Sequence, residues 1–328
     1  MNKLKILSRF IIPISLIFLG VFLIVGCATS STYIFNQQTN LSNSENNKII
    51  FLSDTQSPIW IETLFLDENN NEFARSKIFE QIISKKPTAV IHLGDLVALG
   101  LFNSDWDSID TFVNSLRNRD INFYPILGNH ELIFCAPSGE ENFLSRFPFA
   151  SKTGYSVRIN SLAVLLLNSN FSHLTEIEIL KQQKWYKNEL TKMENDSTIS
   201  SIIVGCHHPP FTNSTVVDAD EEALKMFVPL FISNRKCKIF LSGHSHAFEH
   251  FKYEKKDFFV IGGGGGLQHP LSIGDEAKRK DFYNSDSKIR NFHFLELSSE
   301  NDSLVFKVKM LDEKFEIFNV EYELKVAK

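Results

Sequence analysis

Cysteine is scarce in this 328-residue chain: Cys27, Cys135, Cys206 and Cys237 are all it has. Setting aside Cys27, whose surroundings give it another role, three remain, and an odd number does not make a disulfide framework. Lysine and arginine gather into no basic patch and the net charge is −5, so duplex nucleic acid is not an expected partner. An acidic chain that handles an anion must concentrate positive charge locally, and bound metal ions do that. No apolar run reaches the roughly 20 residues of a membrane-spanning helix. The run at residues 10–25 is shorter and is interrupted by Pro13. Five successive glycines at 262–266 lack the spaced pattern and the following helix of a dinucleotide loop. They read instead as a close approach of backbone to a site.

Hydrophobic residues make up 43% of the chain, ample for a core. Residues 1–26 combine Lys3, Lys5 and Arg9 with the apolar run and end at Leu23-Ile24-Val25-Gly26-Cys27. That is the shape of a secretory signal. Residues 27–47 are rich in Ser, Thr, Asn and Gln without a period of 2 or 3.6, and they are expected to be a flexible tether. A single domain is expected over 48–328.

Within it, apolar runs alternate with helical stripes. Residues 48–53, 88–93 and 123–127 read as buried strands. Between them Ala74, Ile78, Phe79, Ile82 and Ile83 share one helix face, and Ile109, Phe112, Val113 and Leu116 share another. Such alternation predicts parallel strands with helical crossovers. Residues 155–159 and 162–167 read as a hairpin that begins a second sheet. A helix follows around Trp185 and Leu190, then a strand at 200–206, a helix kinked at Pro229, and strands at 238–241, 247–253, 258–261, 291–297, 304–310 and 315–324. Residues 271–289 read as a long polar loop. The predicted class is α/β, two packed sheets with helices outside.

Five strand ends carry chemistry: Ser53-Asp54-Thr55-Gln56, Gly94-Asp95, Gly128-Asn129-His130-Glu131, Cys206-His207-His208 and Gly243-His244-Ser245-His246. Each alone has a plain reading. Asp54 suits an N-cap, Gly128-Asn129 a turn, and Gly-His-x-His a His-rich surface loop. In open α/β sheets, however, ligands bind outside the carboxyl ends of strands, where all five fall. Two imidazoles one residue apart need a turn to aim them together, which Gly243 is expected to supply. Cys206 reads as a small core residue.

In this order the motifs resemble the calcineurin-like metallophosphoesterases, and Ala247-Phe248-Glu249, Gln182, Trp185 and Leu190 resemble the purple acid phosphatase branch. The resemblance implies a four-layer α/β/β/α sandwich of two mixed sheets flanked by helices. It implies two divalent or trivalent ions, Mn, Fe or Zn. Asp54 and His246 would hold one ion, Asn129, His207 and His244 the other, and Asp95 would bridge them. Gln56 stands where the family usually has His, and Ala98 where the purple enzymes have Tyr, so no tyrosinate colour is expected. His130 would contact phosphate and protonate the leaving oxygen, with Glu131 expected to orient it, and Asn129 would also touch substrate; His208 either touches the substrate phosphate or packs. The implied activity is hydrolysis of a phosphate ester, monoester or diester, by in-line attack of a metal-bridging hydroxide. The segment ending at Cys27 resembles a bacterial lipobox, which implies a lipid on Cys27, a membrane anchor, and an exported position in the bacterial cell envelope. A non-catalytic surface binding lipoprotein on the same fold is the alternative, and Gln56 is the feature that favours it.

Overall fold

The computed structural model describes residues 33–42 and 48–328. The signal segment at 1–26, including its boundary with Cys27, lies outside the described residues.

Two sheets form. The first holds β2 (Ile49–Leu52), β3 (Ala89–His92) and β4 (Asn122–Pro125) in parallel. It continues antiparallel through β11 (His293–Glu300), β12 (Ser303–Leu311) and β13 (Phe318–Ala327), in the order β13-β12-β11-β2-β3-β4. The second contains β1 (Asn40–Leu41), β5 (Tyr155–Ile159), β6 (Leu162–Leu166), β7 (Ser201–Gly205), β8 (Cys237–Ser242), β9 (Phe248–Tyr253) and β10 (Lys256–Ile261). Their order is β1-β5-β6-β7-β8-β10-β9. Both sheets are mixed, as predicted.

Strand periodicity explains the layers. In β2, Ile49 and Phe51 point to the core between the sheets, whereas Ile50 and Leu52 point to the helices outside. The inter-sheet core joins Ile91 and Tyr124 of one sheet to Val164, Ile203 and Leu241 of the other. A second core packs the first sheet against α1 (Asn71–Lys85) through Ala74, Ile78 and Ile82, and against α2 (Asp107–Arg117) through Ile109, Phe112 and Leu116. A third packs Leu165, Val204 and Phe240 against Tyr186 and Leu190 of α4 (Glu176–Asn195). Three cores between four layers give the α/β/β/α sandwich.

Several expectations need correction. Residues 33–42, placed in the tether, lie on the domain: Phe35 is buried against Phe147, its amide donates to Arg146 O, and β1 pairs with β5. One buried aromatic and a strand's hydrogen bonds outweigh the polar composition. The helix expected to kink at Pro229 is two helices, α5 (Glu221–Met226) and α6 (Val228–Ser233), meeting at Phe227. The proline opens α6, where its missing N–H costs nothing. Between β4 and β5 lies a further helix, α3 (Ala136–Arg146), that the apolar pattern does not predict. The last strand begins at Phe318, because Phe315 occupies a turn with positive φ.

Candidate metal centre

Parallel strands β2, β3, β7 and β8 end on the same side, and the loops after them and after β4 meet there. Asp54, Asp95 and His244 all have positive φ (60°, 56° and 64°), a conformation L residues avoid. The turn predicted at Gly243 therefore falls on His244. Gly243 is needed for space, since a Cβ there would lie 2.0 Å from Ser53 Oγ and 2.5 Å from Asp54 Oδ2. Backbone strain gathered at adjoining loop ends marks a functional site. The glycine run lies against it: the Gly266 amide donates to Asp54 O, and a Cβ on Gly266 would come within 2.5 Å of the His246 ring.

Asp54, Asp95 and His246 form a buried cluster and His207, His208 and His244 a partly exposed one, the ligand atoms of each lying within 4.8 Å of one another. His207 Nδ1 donates to Leu93 O at 2.8 Å, which turns Nε2 toward Asn129 Oδ1 at 3.0 Å and Asp95 Oδ2 at 3.1 Å. His246 is fixed likewise, with Nδ1 on Leu267 O at 2.6 Å and Nε2 3.4 Å from Asp54 Oδ1. Separations of about 3 Å suit neighbouring ligands of one ion with bonds of about 2.1 Å. The second nitrogen of each histidine is held by a carbonyl, the usual support for a metal-binding imidazole. Gln56 donates its amide nitrogen to His246 Nε2 at 3.1 Å, leaving Gln56 Oε1 buried without a partner, an acceptor that a cation would satisfy. The donor set of carboxylate, amide and imidazole fits two ions.

His130 stands beside these clusters. Its Nδ1 donates to Ala98 O at 2.9 Å, and Nε2 lies 3.5 Å from Glu62 Oε1 and 4.0 Å from Asp95 Oδ2. Glu131, expected to orient it, does something else. Its carboxylate accepts the amides of Asp95, Leu96, Val97 and Gly128 at 2.7–3.2 Å, locking the loop that carries Asp95. The carboxylate at His130 is Glu62, which the sequence reading missed: it opens a single 3-10 turn, Glu62–Leu64, too short for any periodicity to single it out. His269 was missed too. It stacks on His246 at 4.2 Å and accepts the His246 amide at 3.3 Å through Nδ1. His208 Nδ1 pairs with Ser169 Oγ at 2.8 Å, and its ring lies 4.5 Å from that of His244.

The charges are strongly coupled. Burial would raise the Asp95 carboxyl, but His207 and His130 hold it well below the usual carboxylate range. Burial would lower His130, but Asp95 and Glu62 outweigh it and raise it to about 10. His207 rises to about 9 in the same way, burial being outweighed chiefly by Asp95. Burial, and then the neighbouring imidazoles, push His208 down to about 3 and His244 well below its ordinary value. A neutral imidazole is the form that ligates a metal.

A two-sheet sandwich with carboxylates, an amide and histidines converging on adjacent cation positions defines a binuclear metallohydrolase. Residues 47–248 match the family described as Calcineurin-like phosphoesterase, and the chain belongs to that family of metal-dependent phosphoric ester hydrolases with dimetal centres. Solved structures agree on the fold. The purple acid phosphatase PPD1 of yellow lupin matches at TM-score 0.61 and 14% identity, over 88% of this chain and 55% of that one, so this chain spans about half of the plant enzyme. GAP50, the anchor in the inner membrane complex of Plasmodium, matches at TM-score 0.60 and 14% identity, over 85% of this chain and 88% of that one. A dimetal phosphatase from Danio rerio matches at TM-score 0.50 and 13% identity, over 85% and 98%.

Proposed function

We propose that this chain hydrolyses phosphoric esters by in-line displacement at phosphorus, outside the cytoplasmic membrane, held there by a lipid on Cys27. The observation that carries the chemistry is the convergence of Asp54, Asp95, Asn129, His207, His244 and His246 from strand ends of both sheets, with His130 alongside. Asp54, His246 and Gln56 would hold one ion, Asn129, His207 and His244 the other, and Asp95 would serve both. When bound, the pair supplies Lewis acidity to the attacking water and to the phosphoryl oxygens. Asn129 and His208 orient the phosphate. His130, its Nδ1 pinned to Ala98 O, presents an Nε2 proton to the leaving oxygen. Water's oxygen bonds to phosphorus as the bond to the ester oxygen breaks, the His130 proton ends on that oxygen, and of the two water protons one restores His130 and the other stays on the phosphate product.

The location rests on the basic start, the apolar run and the Leu-Ile-Val-Gly-Cys ending of residues 1–27. A non-catalytic binding lipoprotein is the second reading. Gln56 in place of the usual histidine favours it, as does the fold shared with a protein described as an anchor.

The test pairs chemistry with placement. A soluble fragment beginning at Ser30, reconstituted with Mn, Fe or Zn, should turn over nitrophenyl phosphate esters and lose that activity to a chelator. The full chain should take up labelled fatty acid, and Cys27→Ser should not. Tight metal binding with no turnover of any ester would favour the binding protein.

A further inference from the structure

The loop after β2 turns back over the site and carries one carboxylate into it. Glu62 is three-quarters buried, its Oε2 accepts the Ile59 amide at 2.8 Å, and its Oε1 faces His130 Nε2 at 3.5 Å. It also lies close enough to sense the charge of His246. The loop is stapled at its far end: Asn71 donates to Gly265 O and Gly266 O at 2.9 and 2.8 Å, and Asn69 donates to Gln268 at 2.8 Å. Glu62 therefore sits beside the group that must meet the ester.

Positive side chains near the site are few and already engaged: Lys278 donates to Ser214 O and pairs with Asp218, and the Arg279 guanidinium lies over the Phe211 ring. The segments that build the site, residues 53–70, 93–116, 127–145, 206–224, 242–251 and 262–277, contain no lysine or arginine. Arg75 reaches in from α1, but its guanidinium donates to Thr55 O and Ser57 Oγ and pairs with Glu72. Beyond the two ions and His130, these segments have no cation to balance a second phosphate charge. Glu62 adds a negative one.

We infer that Glu62 is a specificity-determining residue that makes this site select singly charged phosphodiesters over doubly charged phosphomonoesters. The inference rests on the phosphoesterase reading above. In the reaction selected, water's oxygen bonds to phosphorus and the bond to one ester oxygen breaks. One water hydrogen ends on the released alcohol and the other on the monoester product. Above the second phosphate pKa, about 6, that product loses the proton and carries one charge more than the substrate. Glu62 then favours its release. One further charge about 6 Å from a carboxylate, at an effective dielectric of about 20, corresponds to a factor on the order of 10².

The experiment compares bis(nitrophenyl) phosphate with nitrophenyl phosphate on the metal-loaded protein, wild type against Glu62→Gln, with Asp67→Asn as a charge-matched control in the exposed part of the same loop. Wild type should favour the diester in kcat/KM. Glu62→Gln should shift the diester-to-monoester ratio toward the monoester by roughly 10–100-fold, and Asp67→Asn should leave it unchanged. Calorimetric binding gives a readout free of turnover: Glu62→Gln should tighten phenylphosphonate, a dianion, far more than its monomethyl ester. An unchanged ratio and unchanged phosphonate affinity in Glu62→Gln, or a wild type that prefers the monoester, overturns the role of Glu62 while leaving the hydrolase intact. Turnover of neither ester by a protein holding both ions overturns the hydrolase reading itself, and the inference with it.

Discussion

Glu131 and Asp95 clasp each other's loops: Glu131 Oε2 accepts the Asp95 amide at 3.0 Å, and Asp95 Oδ1 accepts the His130 amide at 2.8 Å. The residue proposed to bridge two ions is thus fixed from behind by a buried carboxylate and in turn fixes the histidine proposed as acid. Burial and the Asp95 charge raise Glu131 to about 7, so holding this clasp costs free energy that the four amides offset.

Glu131→Ala should therefore destabilise the fold and disorganise the centre together. It leaves four buried amides without an acceptor, at about 1–3 kcal/mol each less whatever water restores, so a loss of roughly 3–6 kcal/mol is expected in urea unfolding. Metal affinity should fall in parallel, although Glu131 touches no ion.

His130→Ala separates chemistry from metal binding. It should keep near-normal metal content and lose roughly 10²–10⁴-fold in turnover, the range of general acid catalysis. The loss should be smaller for nitrophenyl esters, whose leaving groups depart without a proton, than for alkyl esters. Rates measured across leaving groups check this, and equal losses would make His130 a phosphate anchor instead.

Much of this was legible because its signals are periodic. Ile49 to Leu52 alternate between two cores, Ile109, Phe112 and Leu116 form a stripe, and short motifs at strand ends survive in any loop geometry. What was hidden depends on contacts distant in sequence. Glu62 gains meaning from His130, and Glu131 turned toward four amides that no spacing rule identifies. Helix Ala136–Arg146 escaped because Gly139 and a single strong apolar anchor, Phe143, give it almost no stripe, while its interior Asn142 and Arg146 are buried by pairing with Gly100 O and Asp110. Residues 33–42 looked like linker because Phe35 is their one buried apolar side chain and the rest of their docking is polar, as in Gln37, whose Oε1 accepts the Phe123 amide, and in the pairing of β1 with β5.

Glu249 sets a pH dependence of stability. Burial raises its carboxyl from an ordinary 4.5 to about 7, against the hydrogen bonds from Thr212 and the Asn213 amide. The unfolded chain releases this proton near pH 4.5, whereas the folded chain keeps it until about 7. Its contribution is therefore complete below pH 4.5, declines through the interval, and is gone above 7, a change of roughly 3 kcal/mol. Urea midpoints at pH 5 and pH 8 should differ more for wild type than for Glu249→Gln, and parallel behaviour of the two would contradict it.

Metal counted per folded chain tests the central claim most directly. After reconstitution and removal of free ion, the wild type should hold two ions. His244→Ala and His246→Ala should each lose one from different positions, and Asp95→Ala should lose most of both, with circular dichroism showing every variant folded. A folded wild type that retains no ion, or three variants that retain as much as wild type, would contradict a binuclear centre built on these residues.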